Sequence, residues 1–465
     1  MPRPLDLSPS EFTSLAEGVV DRAARFLAGL DDVPIRPAST GSETLELFRT
    51  PAPEQGGGAR VLDDLADVVA HSRVGTGGFF GYVMGSGEPV AALGDLFASV
   101  LNQNATAWRS GPATAVIERT VVSWLAEAVG CAGFGGVLTS GGSLANLMGL
   151  AMARESRAPA NATGAPYGVV YASSEVHMSI GKAVALLGLG RDNLRLLPAD
   201  DDCRLRPDAL REAVAKDRAE GLRPLAVVLC GGTIVTGAVD PIAELVAVAE
   251  DEDLWVHVDG AYGLPAAMAA PDLFAGIDRV DSVSLDAHKW LYQPLDCSLL
   301  LYRDPAAARR AFAFTDDYAA SSSTDPVEGD VFFEETIELS RRSRALKLWL
   351  SLRYHGLAAY RAAVARNLEQ ARLLARLVDD EPRLERMAEV TLSAVCFRWT
   401  AAEDPDGFNA ALLEEVNRRG RVYLSNATVR RRFVLRACIT NHRTTDADVA
   451  AVVEEVLAAA ASLEA

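Results

Sequence analysis

The sequence predicts an α/β protein with three parts: a large unit on a mainly parallel seven-stranded sheet, a smaller C-terminal α+β unit, and a helical segment ahead of both. Two observations carry this. From Phe79 to Arg344, short apolar runs alternate with Ala-, Leu- and Glu-rich stretches of helical period, the pattern of strands joined by crossover helices. Beyond them, one long helical stretch leads into shorter strand-like runs and a last helix. The boundaries that follow are 1–78, 79–345 and 346–465. A hydrophobic content of 49% over 465 residues is ample for such cores.

Residues 8–30 read as a helix, with Ser8 as its cap, Pro9 in its first turn, and Phe12, Leu15, Val19, Ala23, Phe26 and Leu27 at helical spacing. It is amphipathic, so something must cover it. A Pro- and Gly-rich loop and a second helical stretch near Leu62 to His71 complete the N-terminal segment. The seven candidate strands are GGVLTS (135–140), YGVVYAS (167–173), LRLLPAD (194–200), LAVVLC (225–230), LWVHVDG (254–260), DSVSLDAH (281–288) and CSLLLYR (297–303). Between them lie helical stretches such as LANLMGLAMARESR and IAELVAVAEDED. Ligands of such sheets bind outside the carboxyl ends of the strands. In the last part, VTLSAVCFRW and RFVLRACI read as strands and DADVAAVVEEVLAAAASL as a helix.

A net charge of -18 argues against a nucleic acid or an acidic membrane as partner, since both require a concentrated basic face. The longest uncharged stretch, Pro224 to Val239, contains three glycines and is too short to span a bilayer. The N-terminal MPRPLDLSPSEF lacks the apolar core of a signal peptide. Cys131, Cys203, Cys230, Cys297, Cys396 and Cys438 form no C-x-x-C pair and suit reduced thiols, which points to the cytoplasm. No His, Cys and Asp spacing suggests a metal site, and GTGGFFG lacks the context of a dinucleotide fingerprint.

Four short stretches carry chemistry. LTSGGSLANL places Gly141, Gly142 and Ser143 at a strand-to-helix turn, where free amides, close backbone approach and a hydroxyl can cradle a phosphate. LWVHVDGAYG ends a strand on Asp259, and YASSEVHMSIGKA sets His177 just beyond another, ready to lay a flat ring on a flat ligand. SVSLDAHKWLYQ puts Lys289 into an otherwise apolar stretch, where an unpaired ammonium costs several kcal/mol. Singly, each has an ordinary structural reading: a tight turn, a turn-capping aspartate, a core histidine, a snorkelling lysine. Together they are what pyridoxal 5'-phosphate (PLP) requires, with Asp259 to keep the pyridine nitrogen protonated and Lys289 to form an imine.

HVDGAYG, DAHKW, SSEVHMS and FFGYVMGSGEPVAALGDL resemble the group II PLP-dependent amino-acid decarboxylases, a group that includes aromatic-L-amino-acid, tyrosine, glutamate and diaminobutyrate decarboxylases. The resemblance runs from about Phe79 to RACITNHRTTDADV. It implies PLP fold type I, a homodimer with the active site at the interface, and an N-terminal helical flap packed on the partner subunit. Lys289 then matches the Schiff-base lysine, Asp259 the pyridinium partner and His177 the ring-stacking histidine. Gly141, Gly142 and Ser143 match the phosphate turn, with His288 beside it and Thr233 among small residues near the cofactor. Asp286 stands where several members carry Asn, so a carboxylate there needs a proton or a cation nearby. Arg436 lines up with an arginine that binds the substrate carboxylate in glutamate decarboxylase-like members, or is an ordinary arginine near a strand.

The implied reaction is decarboxylation of an L-amino acid to the amine, with an aromatic or apolar side chain favoured because Phe80, Tyr82 and Trp108 fall in segments similar to those lining the substrate pocket of relatives. Phe332 in GDVFFEETIELSRR aligns with a loop position where aromatic amino-acid decarboxylases carry a tyrosine, and relatives with Phe there resemble oxygen-dependent aldehyde synthases. Either Phe332 redirects the reaction to an aldehyde, or another donor such as Tyr318 serves and Phe332 anchors a lid. A PLP-binding protein without turnover, kept for regulation, is the reading from another class; an aminotransferase on the same scaffold is a fainter one.

Overall fold

The computed structural model describes residues 5–37, 39–164, 167–314 and 325–465. All seven runs expected to be strands form one sheet: β1 (Gly135–Thr139), β2 (Val169–Ser173), β3 (Leu194–Leu197), β4 (Pro224–Cys230), β5 (Trp255–Asp259), β6 (Ser282–Leu285) and β7 (Ser298–Tyr302), in the order β1-β7-β6-β5-β4-β2-β3. The pairings from β3 to β6 are parallel, and β7 runs antiparallel to both β6 and β1. Helices cover both faces, so the strands are continuous apolar runs rather than alternating ones. Along β4, Val227 and Leu229 join one core while Ala226 and Val228 join the other, as the two-residue period of a strand dictates.

The C-terminal part holds an antiparallel sheet of β8 (Leu384–Arg386), β9 (Ala394–Trp399), β10 (Ser425–Val429) and β11 (Arg432–Cys438), in the order β10-β11-β9-β8. The two apolar runs expected there are β9 and β11. Their partners were hidden: β8 has three residues, and SNATV of β10 is half polar. The β10–β11 hairpin turns on Arg430 and Arg431, with φ of 49° and 64°, where the sequence signal for such a turn would be Asn-Gly.

The helix Pro9–Ala28 forms with a capping box in which Ser8 and Glu11 bond each other's backbone N–H. None of its residues is buried, and Phe12, Val19, Val20 and Leu27 face outward. The segment at 76–80 is stitched to the C-terminal part: Phe80 N–H donates to Tyr423 O at 2.9 Å, Cys438 N–H donates to Phe80 O at 2.9 Å, and Asn441 Nδ2 donates to Thr76 O at 2.7 Å. The Phe80 ring is consequently part of that unit's core.

Candidate active site

The carboxyl ends of β1, β2, β4, β5 and β6 meet around one cavity of about 490 Å³. Each strand contributes through the turn that follows it. Gly141, Gly142 and Ser143 come from the turn after β1, His177 from that after β2, Thr233 from that after β4, Asp259 from the end of β5, and Asp286, His288 and Lys289 from the turn after β6; all nine line the cavity. Gly142 opens the 16-residue helix Gly142–Arg157, whose first N–H groups are free for an anion. A Cβ on Gly142 would sit 2.8 Å from the Ala261 Cβ and 3.0 Å from Asp286 Oδ2, so only glycine lets the backbone come this close.

Lys289 Nζ lies 2.8 Å from Asp286 Oδ2, which supplies the cation that the carboxylate needs. Burial works against the lysine's charge, but Asp286, aided by Asp259, outweighs it and leaves the pKa raised. Asp286 also accepts from Ser298 Oγ, and His288 Nε2 stands 3.6 Å from its Oδ2. Asp259 accepts from Asn146 Nδ2 at 2.8 Å, Ser284 Oγ at 3.3 Å and the Ala261 N–H at 3.3 Å. Three donors fix its orientation. His177 caps the helix Met178–Leu186, its Nδ1 accepting from the Ser179 N–H at 3.3 Å, and burial lowers its pKa so that the ring is neutral.

Sequence reasoning missed Asn146, His257, Ser179, Ser282 and Ser284. Asn146 is four residues beyond Gly142 on one helix, and His257 is two before Asp259 on one strand, so both fall on the site's side by periodicity alone. Glu175 was missed as well: it lines the cavity, burial raises its pKa, and its carboxylate has no hydrogen bond or ion pair among the described residues.

The residues expected to touch substrate do not line this cavity. Phe80 is fully buried in the C-terminal core. Tyr82 is 49% exposed and packs against Tyr423 and Arg73. Trp108 packs on the core cluster that holds Phe332, and its N–H donates to Asp330 O. Arg436 is buried, with Nε on Val235 O at 3.1 Å, Nη1 on Ser425 Oγ at 3.0 Å, and Nη2 without a partner. The apolar lining comes instead from Val83, Leu144, Ile234 and Leu295. Val83 is held there because the next turn lies on the lysine's backbone, Gly85 N–H donating to His288 O at 3.1 Å.

Phe332 is also away from the cavity. It is 0% exposed and clamped between two guanidinium groups, with Arg119 4.1 Å and Arg341 4.9 Å from its ring centroid. Arg341 is itself buried against Glu118, and the Phe332 N–H donates to Thr106 O at 2.9 Å. Its ring is thus packed in the core rather than presented to the cavity. Tyr318 lies outside the described residues.

A reachable lysine, a carboxylate oriented by three donors, a flat imidazole and an anion-binding helix start fit PLP, and among the described residues no group of His, Cys, Asp and Glu could hold a metal. Fold and site together define a PLP-dependent enzyme of fold type I. The model of the pyridoxal-dependent decarboxylase conserved domain matches residues 43–400. The chain is 34% identical over 391 residues to the aromatic-L-amino-acid decarboxylase of Bacillus atrophaeus, covering 82% of this chain and 81% of the relative. It is 31% identical to the 4-hydroxyphenylacetaldehyde synthase of Rhodiola rosea, covering 96% and 94%. The solved structure of Oryza sativa TDC with PLP and tryptamine superposes with a TM-score of 0.93 at 27% identity, covering all of both chains. The chain belongs to the pyridoxal-dependent decarboxylase family. It is a PLP-dependent carboxy-lyase acting on an amino acid.

Proposed function

We propose that the enzyme removes the carboxylate of an aromatic or large apolar L-amino acid and releases the amine. The observation that carries the side-chain preference is the lining: Val83, Leu144, Ile234 and Leu295 are apolar, and the cavity's one lysine is paired with Asp286, which leaves no cation for an acidic side chain. The Bacillus atrophaeus relative, named for aromatic L-amino acids, supports the same class.

PLP, when bound, supplies an electron sink for the pair left as carbon dioxide departs. The chain's residues do the rest. Lys289 holds the cofactor covalently, and Asp286 orients the lysine amine rather than the phosphate. When PLP is bound, Asp259 would hold a proton on the ring nitrogen, His177 would serve the ring face, and Gly141, Gly142, Ser143 and His288 would hold the phosphate. Thr233 also lines the cavity, near the cofactor. Arg436, buried on Val235 O and Ser425 Oγ and outside the cavity lining, is assigned no substrate contact. Because Phe332 is in the core, the aldehyde-forming alternative loses the residue that suggested it. A regulatory protein without turnover is disfavoured by Lys289, Asp259 and His177 meeting in one cavity.

The unit of function is proposed to be a cytoplasmic homodimer, built from a flap at 1–78, a cofactor-binding unit at 79–345 and a C-terminal unit at 346–465. The helix Pro89–Leu101 leaves Leu93 at 54%, Phe97 at 60% and Val100 at 56% exposure, and the helix Pro9–Ala28 buries none of its residues; such apolar surface calls for a second surface. All six cysteines are free, and no described helix is long and apolar enough to cross a membrane. The test is product analysis with PLP-loaded protein and a panel of aromatic, aliphatic and acidic L-amino acids, following carbon dioxide, amine, aldehyde and dissolved oxygen. Carbon dioxide with amine from aromatic substrates is expected. Preferred turnover of acidic substrates would overturn the specificity, and matching oxygen loss with aldehyde would overturn the product.

A further inference from the structure

A buried chain of hydrogen bonds joins the two side chains assigned to the cofactor ring, and it passes through Asn146. The amide reaches Asp259 Oδ2 at 2.8 Å, Ser179 Oγ at 3.0 Å and His257 Nε2 at 3.0 Å. Ser179 Oγ lies 2.8 Å from His177 Nδ1, and His257 Nδ1 lies 2.8 Å from Ser282 Oγ, which accepts from Trp255 Nε1 at 3.1 Å. Asn146, Ser179, His257 and Ser282 are each at most 1% exposed, so water does not replace any of these bonds.

The chemistry of the partners admits one polarity. A carboxylate only accepts, so Asn146 turns its nitrogen to Asp259 and its oxygen to His257. His257 must then carry its proton on Nε2, leaving Nδ1 to accept from the Ser282 hydroxyl. The second amide N–H goes to Ser179, whose own proton goes to His177 Nδ1, where the Ser179 backbone N–H already points at 3.3 Å. His177 therefore carries its proton on Nε2, the donor left for the cavity. Burial lowers the pKa of His257 to about 4, so the ring stays neutral at the pH of use. A Cβ on Gly149 would lie 2.5 Å from His257 Nδ1, which shows how tightly the ring is packed on the helix that carries Asn146.

We propose that Asn146 is a positioning residue that sets both cofactor-facing groups at once: it holds Asp259 as an oriented carboxylate and, through Ser179, fixes His177 as the Nε2–H tautomer. This rests on the assignment of Asp259 and His177 to the cofactor ring. The bond of Asn146 to the Asp259 carboxylate is of the kind whose loss weakens an interaction by about 10- to 100-fold.

The test uses Asn146→Asp and Asn146→Leu in the full-length protein, reading the PLP dissociation constant and the visible absorbance of the bound cofactor as pH is varied. In Asn146→Asp the introduced carboxyl can donate to Asp259 only while protonated, so PLP affinity should fall about tenfold or more, relative to the unaltered protein at the same pH, between about pH 6 and 9. Asn146→Leu should bind PLP about 10- to 100-fold more weakly at every pH in that range. A residue that merely fills space predicts no pH dependence in Asn146→Asp, and that result, or an unchanged affinity in a folded Asn146→Leu, would overturn the proposal. Asn146→Asp decides the matter even where Asn146→Leu does not fold. Absorbance that does not depend on Lys289 in otherwise unaltered protein would instead overturn the site assignment, and the relay with it.

Discussion

Phe332→Tyr should leave the reaction product unchanged and cost stability, because the hydroxyl lands in the core and not in the active site. Phe332 is 0% exposed between Arg119 and Arg341. Leaving a new buried hydroxyl without a partner costs about 1–3 kcal/mol. Phe332→Ala is harsher: emptying a buried Phe site costs about 3–5 kcal/mol, and two cation–π contacts add about 0.5–2 kcal/mol each. Against a total stability of about 5–15 kcal/mol, that variant should be poorly soluble or unfolded at assay temperature. Phe332→Tyr is thus the informative change. The assay measures amine, aldehyde, carbon dioxide and oxygen per turnover in unaltered and variant protein, with thermal melting alongside. The expected result is a lowered melting temperature and the same ratio of amine to aldehyde. A variant of unchanged stability whose product switches between aldehyde and amine would refute the placement of Phe332 in the core.

Glu118→Ala should destabilise the fold by about 3–5 kcal/mol, since it strands the fully buried Arg341 guanidinium; urea unfolding would show this as a lower midpoint, and an unchanged midpoint would contradict it. His257 is held neutral by burial, with a pKa of about 4 against an ordinary value near 6.5, so the stability it contributes is complete above about pH 6.5 and is lost as pH falls toward 4. Melting of the unaltered protein should therefore fall over that window more steeply than melting of His257→Gln, and equal slopes would count against the buried neutral ring. Phe97→Asp puts a charge on the exposed apolar face of the helix Pro89–Leu101 and should convert a dimer into monomers of 49.4 kDa with little activity, read by sedimentation. Dimers that persist in that variant would place the interface elsewhere.

Much of this was legible because apolar runs bounded by Gly, Asp or Lys mark buried parallel strands and the turns at their ends. Gly141, His177, Asp259 and Lys289 could be read because each follows such a run, and strand ends on one side of a sheet necessarily converge. Specificity was not legible by the same route. Phe80 and Trp108 were expected in the pocket because their segments resemble pocket-lining ones in relatives, yet Phe80 N–H is paired to Tyr423 O and Trp108 N–H to Asp330 O, long-range bonds that no local pattern records. The core position of Phe332 was not legible either: what encloses it is a pair of arginines, one more than two hundred positions away in sequence and one nine positions on. Asn146 and His257 were within reach of periodicity, but a buried amide and a buried imidazole in apolar segments look like ordinary core polar groups until their partners are known. Strand β10 escaped because its turn uses two arginines in left-handed conformation.

The chain has four lysines, Lys182, Lys216, Lys289 and Lys347, and of these Lys289 alone lines the cavity, while Lys347 is buried against Asp95 at 2.9 Å. Reducing the PLP-loaded protein with borohydride and mapping the modified peptide by mass spectrometry tests the central claim most directly. A single cofactor adduct on Lys289, absent in Lys289→Ala together with carbon dioxide release, is the predicted result. An adduct on another lysine, or undiminished turnover in Lys289→Ala, would contradict it.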